Sequence, residues 1–323
     1  MKRIIKPEDS YEVELEETNI PDPQPGEIRI KAACSLISRG SELGFNAQNP
    51  TEQVTPGYSM AGTVDALGAG VNHLEIGDPV VALAPHAQYV VQSALVSDPR
   101  EQTWVMPMPP NLSFDNAPYY PLTAGAVSWV EIENIAPQNT VVILGQGLVG
   151  SLILQVIKAN GAGNVIAIDV LENRCTLAGE LGADTVINSL LQDPVKVVKH
   201  LTNGIGADIV VYAVGGAAGP VAFEQGLDML AVDGLIHLIG LFEDQPLSLS
   251  SRKIQRRKLL GGYYQTNVGA TQSRRAMELL VSGKIQTARM TSHCFPWYQA
   301  ADAFSLLDQK PGEALGVLLD WQK

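Results

Sequence analysis

The feature that most constrains this chain is an apolar run that leads directly into a glycine-rich turn and a second apolar segment. Val141 to Leu144 is unbroken and mostly β-branched, and Gly145 to Gly150 follows at once with the spacing G-x-G-x-x-G. The segment from Ser151 to Asn160 has the length and composition of a buried helix. A strand, a tight turn and a helix in this order are typical of a parallel sheet with crossover helices, so the sequence predicts an α/β fold.

Each glycine of this turn has its own physical role. Gly145 permits the tight turn, Gly147 lets the backbone approach a pyrophosphate, and Gly150 allows the helix to pack closely on the strand. The start of the following helix offers unpaired N–H groups to an anion, and Leu148 and Val149, the last two residues before Gly150, are further candidates for cofactor binding. The turn therefore predicts a dinucleotide-binding site.

Two residues beyond the next strand bear on the choice of dinucleotide. Asp169 closes the strand Val165 to Ile168, about 20 residues after the third glycine. A carboxylate there accepts both ribose hydroxyls and repels a 2′-phosphate, which favours NAD(H) over NADP(H). Arg174 follows shortly after and could offset that repulsion. NADP(H) therefore stays open as the less favoured cofactor.

The spacing of apolar residues changes near residue 122. Before it, short alternating runs such as Ile28 to Ala32 and turn signals such as Gly77-Asp78-Pro79 predict a mostly β domain. After it, strands such as Ile209 to Tyr212 and Leu235 to Ile239 alternate with helices. A chain of 323 residues has room for two domains, and we predict a parallel-sheet domain over residues 122–263.

Composition limits the partners and the compartment. The formal net charge is −12, which disfavours nucleic acid and anionic membranes. Three cysteines without C-x-x-C spacing fit a reducing compartment, and the first residues resemble no secretory signal. Polar residues interrupt the longest uncharged stretch, Ile135 to Ile157, so it is not expected to span a bilayer. We expect a cytoplasmic protein that acts on a small molecule.

A series of short motifs runs along almost the full length of the chain. In chain order they are Pro25-Gly26-Glu27 with Ile28 to Ala33, Pro56-Gly57-Tyr58-Ser59-Met60-Ala61-Gly62-Thr63-Val64, Gly77-Asp78-Pro79-Val80-Val81, Leu122-Thr123-Ala124, the glycine turn and Glu180-Leu181-Gly182-Ala183-Asp184. Together these motifs resemble the medium-chain dehydrogenase/reductase family. The resemblance implies a GroES-like β domain, formed by residues 1–121 and 264–323, and a Rossmann domain with a doubly wound parallel sheet over residues 122–263. It also places Thr123 and Gly240 at the cofactor and implies a homodimer through the last Rossmann strand, Leu259 to Tyr264.

The chain departs from the family at the metal positions. The family's alcohol dehydrogenases bind catalytic zinc through a Cys, a Gly-His-Glu motif and a further Cys or Glu; here Ser38 or Arg39, Tyr58-Ser59 and Tyr119 stand in those places. Hydroxyls are poor substitutes for thiolate and imidazole on zinc, so we predict a zinc-lacking branch with no metal site. The remaining candidate ligands match no zinc-ligand spacing: Cys34, Glu42, His73 and His86.

Hydride transfer without a metal needs another group that stabilises charge on the substrate oxygen. Ser38, Tyr58 and Tyr119 supply hydroxyls, and Tyr58 could act as the proton donor. Both tyrosines could equally line a partly apolar pocket, with their hydroxyls bonded to nearby carbonyls. We expect Glu42 to bind a loop amide or Arg39 rather than to act as a base.

These features favour a zinc-independent, NAD(H)-dependent oxidoreductase that interconverts a secondary alcohol and a ketone by hydride transfer. The residues from Ser38 to Glu42, with Pro56-Gly57-Tyr58, look like a zinc-lacking branch that includes the dehydrogenase of bacteriochlorophyllide synthesis, which suggests a bulky or activated substrate. One alternative is an NADPH-dependent reductase of an activated C=C bond, similar to quinone and enoyl reductases. Another is a catalytically inactive cofactor-binding module whose cleft Tyr58 and Tyr119 block.

Overall fold

The computed structural model describes residues 1–44, 52–94, 105–240, 245–262 and 269–323. The chain divides into two compact units, one formed by Met1–Ala124 with Asn267–Lys323 and the other by Gly125–Thr266. The expected domain boundary at 263/264 lies outside the described residues. Across the described ranges, every helix is too short or too polar to cross a membrane.

The described strands of the first unit, numbered along the chain, are β1 (Lys2–Ile5), β2 (Glu14–Glu17), β3 (Glu27–Ile37), β4 (Met60–Leu67), β5 (Pro79–Ala82), β6 (Tyr89–Ser93), β7 (Val105–Pro107), β14 (Thr291–Pro296) and β15 (Gly316–Asp320). These described strands form a seven-stranded mixed sheet and a two-stranded antiparallel one, β1 with β2. The long strand β3 holds the larger sheet together, because it pairs antiparallel with β4, β6 and β15. Among the described pairs of this sheet, only β14 and β15 run parallel to each other.

Helices close the core of this unit. The last one buries Ala303, Phe304 and Leu307 on one face, a spacing that brings apolar side chains of successive turns together. They pack in one apolar cluster with sheet residues such as Ile28 and Val64. The helices of this unit are α1 (Arg39–Leu43), α2 (Tyr120–Glu133), which continues into the other unit, α7 (Ala270–Val281), α8 (Thr287–Met290) and α9 (Ala300–Gln309).

The described elements of the second unit are β8 (Thr140–Leu144), α3 (Leu148–Ala159), β9 (Asn164–Asp169), α4 (Glu172–Glu180), β10 (Thr185–Asn188), α5 (Pro194–Leu201), β11 (Ala207–Tyr212), α6 (Gly219–Met229), β12 (Leu230–Leu238) and β13 (Lys258–Gly261). The six described strands form one parallel sheet in the order β10-β9-β8-β11-β12-β13. Val141 to Leu144 are all buried, as expected for a strand that helices cover on both faces.

This strand order reverses direction between β8 and β11. In a doubly wound sheet, ligands bind at such a switch point, outside the carboxyl ends of the strands. The glycine turn follows the carboxyl end of β8, so the topology places it where a dinucleotide binds in this class of fold. The predicted α/β fold with a doubly wound parallel sheet is confirmed.

Candidate functional site

Two glycines give the turn after β8 its shape. Gly145 has φ +86°, and a Cβ there would lie 2.7 Å from the carbonyl oxygen of Ala213. Its N–H donates to the Ile168 carbonyl at 2.8 Å, which ties the turn to the neighbouring strand β9. A Cβ on Gly150 would overlap the carbonyl oxygen of Gly145. Both positions therefore require glycine for the turn to form at all.

Gly147 is different, because its surroundings are open. It is the N-cap of α3, with extended backbone and no side-chain cap. The one described atom within 4 Å of a Cβ built there is Nη1 of Arg174, at 3.6 Å. The N–H groups of Leu148 and Val149 open the helix and have no carbonyl one turn earlier to bond. This helix start, with a guanidinium beside it, is suited to hold the pyrophosphate of a dinucleotide.

Asp169 ties the end of β9 to the same turn. Its Oδ2 accepts the Gln146 N–H at 2.7 Å, and its Oδ1 accepts the N–H groups of Val170 at 2.8 Å and Leu171 at 2.9 Å. The residue is 8% exposed. A carboxylate offers about four lone-pair sites, so three backbone donors leave about one for a ribose hydroxyl. The spacing of the motif identified this carboxylate, but not its role in holding the turn.

Two predicted cofactor residues, Gly240 and Thr123, belong neither to the glycine turn nor to the segment after β9. Gly240 follows β12 at the carboxyl edge of the parallel sheet, where its N–H donates to the Tyr212 carbonyl at 2.9 Å. Thr123 belongs to the other unit. It is buried on α2 and its hydroxyl donates to the Tyr119 carbonyl at 2.8 Å. Contact of either residue with a cofactor stays a prediction.

Two of the three predicted catalytic residues lie on loops of the first unit. Ser38 is the N-cap of α1; it is buried, and its Oγ lies 3.5 Å from Oγ of Ser41. Tyr58 is partly exposed and follows Gly57, whose φ is +103°. Partial exposure leaves Tyr58 as the more accessible of the two predicted catalytic tyrosines.

Tyr119 is fully enclosed by the protein. Its side chain is buried, and its hydroxyl lies 2.7 Å from Oγ1 of Thr291. Burial raises the pKa of this phenol well above its ordinary value. A phenol that is buried, protonated and bonded inside the protein packs the core of the unit. This placement favours the lining alternative for Tyr119 over the catalytic one.

A network of hydrogen-bonded, buried side chains is connected to the backbone N–H of Ser38. Oε1 of Glu42 accepts the Ser38 N–H at 2.7 Å, while its Oε2 lies 2.9 Å from Nε2 of His86. Nδ1 of His86 lies 2.8 Å from Oγ of Ser35, which also accepts the indole N–H of Trp321 at 2.9 Å. Glu42 thus binds a loop amide, as expected. Its partnership with His86 was not foreseen.

The side chains at the family's metal positions do not fit zinc, which is normally held by thiolate, imidazole or carboxylate. Ser38, Tyr58 and Tyr119 offer only hydroxyls. Nearby, His86 has both ring nitrogens engaged, and burial raises the pKa of the Cys34 thiol well above its ordinary value. Within the described part of the chain, no three His, Cys, Asp or Glu side chains group closely enough to hold a metal ion.

Comparison with known proteins agrees with this architecture. The family model described as zinc-binding dehydrogenase matches residues 149–282. L-threonine 3-dehydrogenase of Thermococcus kodakarensis is 32% identical over 274 residues, which is 75% of this chain and 76% of that protein. L-threonine 3-dehydrogenase of Bacillus subtilis is 27% identical and is aligned over 99% of this chain and 98% of its own length.

Solved structures show the same fold. An oxidoreductase from Escherichia coli superposes with a TM-score of 0.86 at 20% identity, covering 99% of this chain and 98% of that chain. An alcohol dehydrogenase from a Thermus species gives 0.82 at 24% identity, covering 99% of each chain. The chain is therefore an oxidoreductase, and it belongs to the zinc-type alcohol dehydrogenase-like group of the medium-chain dehydrogenase/reductase family.

Proposed function

We propose that this oxidoreductase uses NAD(H) to interconvert a secondary alcohol and a ketone, and that it does so without zinc. The proposal depends mainly on two features that occur together. The glycine turn has open space at Gly147 and a hydrogen bond from Gln146 to Asp169, and hydroxyl side chains stand at the family's metal positions. The two relatives described above are both named L-threonine 3-dehydrogenase, and carbon 3 of L-threonine bears a secondary hydroxyl. That name supports a secondary alcohol as the substrate class.

The chemistry that NAD(H) would supply here is hydride transfer at the carbinol carbon. The helix start after Gly147, with Arg174 beside it, would bind the pyrophosphate. Asp169 would accept a hydroxyl of the adenosine ribose on its remaining lone pair. In ketone reduction, the Tyr58 phenol would hydrogen-bond the carbonyl oxygen and donate its proton to it as the carbon gains the hydride, and water would reprotonate the phenolate; alcohol oxidation reverses these steps.

Three further features belong to the same proposal. The resemblance of Ser38 to Glu42 and Pro56-Gly57-Tyr58 to a zinc-lacking branch of the family supports a bulky or activated substrate over a small alcohol. We propose a homodimer that forms along β13, which pairs with β12 alone among the described strands. The acidic net charge and the free cysteines fit a cytoplasmic enzyme.

One observation favours a second candidate. The Arg174 guanidinium beside Gly147 is a cation that could also bind the 2′-phosphate of NADPH, the cofactor expected for a reductase of activated C=C bonds. Asp169 opposes this reading through charge repulsion. The two candidates therefore differ in which cofactor binds more tightly.

The deciding experiment measures zinc content by elemental analysis and the dissociation constants of NADH and NADPH on chelator-treated protein. We expect less than stoichiometric zinc, tighter binding of NADH, and turnover in a screen of secondary alcohols and ketones. Tighter NADPH binding with turnover of enones would select the C=C reductase. Stoichiometric zinc that is lost together with activity would overturn the zinc-free proposal, and cofactor binding without any turnover would indicate a binding module.

A further inference from the structure

A buried carboxylate and imidazole lie at the point where both predicted reactive loops meet. Glu42 is 5% exposed, and His86, Ser35 and the polar atoms between them are enclosed in the first unit. A buried ionisable pair is held tightly, because removing one partner leaves the other uncompensated in a medium of low polarity. The pair is therefore a rigid element rather than a mobile one.

The hydrogen bonds hold the His86 ring at both nitrogens. The Trp321 indole can only donate, so Oγ of Ser35 accepts from it. The same oxygen lies 2.8 Å from Nδ1 of His86, and Oε2 of Glu42 lies 2.9 Å from Nε2. Rotation of the ring would therefore break both contacts.

The pair contacts both loops that carry the predicted reactive hydroxyls. On one side, Glu42 holds the backbone N–H of Ser38. On the other side, the His86 ring packs against Gly57, where a Cβ would lie 2.7 Å from Cδ2 of the ring. The backbone N–H of His86 also donates to the Pro56 carbonyl at 2.9 Å. The turn that leads into Tyr58 therefore packs against the imidazole ring.

We infer that Glu42 and His86 are positioning residues, which fix the loops of Ser38 and Tyr58 relative to each other and so organise a site whose side chains do not fit zinc. The catalytic consequence rests on the proposed function. The positional consequence does not, because it concerns only where the Tyr58 ring lies.

The test compares Glu42→Ala and Glu42→Gln with a matched control at Glu133. Glu133 forms a second buried pair, Oε1 to Nδ1 of His237 at 2.7 Å, in the other unit. All variants carry 3-fluorotyrosine at position 58, and fluorine NMR, melting temperature, NADH affinity, kcat and KM are measured on the full chain. The substrate is the best one found in the screen of secondary alcohols and ketones.

We expect Glu42→Ala to lower kcat by about 100-fold, the scale of an ångström-sized displacement of a reactive group. KM and the NADH dissociation constant should change little, and the fluorine resonance should move. Glu42→Gln keeps an acceptor for the Ser38 N–H and should recover about 10-fold in kcat. Glu133→Gln should lower the melting temperature without moving the resonance or kcat.

The inference is wrong if Glu42→Ala, corrected for its folded fraction, keeps the fluorine resonance of the parent protein. It is also wrong if kcat falls no further than in Glu133→Gln. If no substrate is turned over by the parent protein, the proposed function fails, but the fluorine comparison still decides whether Glu42 positions Tyr58.

Discussion

Asp169 combines a structural role with a proposed recognition role, and a substitution can separate the two. Asp169→Ser removes the charge that opposes a 2′-phosphate, and it weakens the hydrogen bond to Gln146 of the glycine turn and those to Val170 and Leu171. We expect the ratio of NADPH to NADH affinity to rise by about 10-fold, which corresponds to about 1.4 kcal/mol, together with a lower melting temperature. Isothermal titration with both nucleotides measures the ratio.

Asp184 provides the control for this experiment. It also accepts a backbone N–H from the adjacent strand, that of Val165 at 2.8 Å, but it lies at the amino edge of the sheet, just before β10. Asp184→Ser should therefore lower the melting temperature and leave the nucleotide ratio unchanged. An unchanged ratio in Asp169→Ser as well would show that Asp169 does not read the ribose.

Substitutions at Tyr58 and Tyr119 distinguish a catalytic tyrosine from a structural one. Tyr58→Phe is expected to lower turnover by about 10-fold to 100-fold, because general acid–base groups contribute on this scale or above it. Tyr119→Phe removes the hydrogen bond to Thr291 and should cost about 1 kcal/mol of unfolding free energy without affecting turnover. Steady-state kinetics and urea unfolding of both variants distinguish these outcomes. Equal turnover in Tyr58→Phe and the parent protein would make Tyr58 a lining residue.

Among the elements, the glycine turn offers a prediction that depends on space alone. Gly150→Ala would drive a methyl group into the Gly145 carbonyl, so we expect a strongly destabilised or unfolded chain. Among the described residues, a methyl group at Gly147 comes within 4 Å of Nη1 of Arg174 alone, at an ordinary contact distance of 3.6 Å, so the melting temperature of Gly147→Ala should hold. NADH affinity should nevertheless fall by at least about 10-fold, because the methyl group keeps the pyrophosphate off the backbone. Unchanged NADH affinity in Gly147→Ala would place the pyrophosphate elsewhere.

Most elements of the parallel sheet could be predicted from the sequence, since buried parallel strands are continuous apolar runs. Their starts were less predictable. The sequence suggests a strand from Leu235, whereas β12 begins at Leu230, because Asp233 at φ +65° and Gly234 interrupt the apolar run without ending the strand. Likewise α3 begins at Leu148 rather than Ser151, because the glycine turn itself forms the first helical turn.

The candidate site likewise contains some residues that could be predicted from the sequence and others that could not. Gly145, Gly147, Gly150 and Asp169 could be identified because their role depends on local spacing. The chain of buried side chains behind Ser38 could not, since Trp321 and Ser35 are 286 residues apart and no local pattern relates them. Partnerships of this kind depend on the packing of whole strands, here β15 beside β3.

At the scale of the whole molecule, the exposed face along β13 is the basis for the proposed homodimer. Leu259 is 42% exposed on this strand, and Val232 on the neighbouring strand β12 is 57% exposed. Among the described strands β13 pairs with β12 alone, and the outer backbone groups of such an edge strand can pair with a second copy. In a two-fold interface the same residues meet one another, so Leu259→Glu would bring like charges together. The experiment is light scattering coupled to size-exclusion chromatography.

We expect the parent protein to elute at twice the chain mass of 34.6 kDa and Leu259→Glu to elute as a monomer at micromolar concentration. Val221→Glu is the control, because Val221 is 62% exposed on α6 of the same unit and takes no part in the β13 edge. It should stay dimeric. A parent protein that is monomeric, or a Leu259→Glu variant that stays dimeric, would rule out association along β13. If Leu259→Glu were monomeric and still bound NADH, this result would show that NADH binding does not need the second copy.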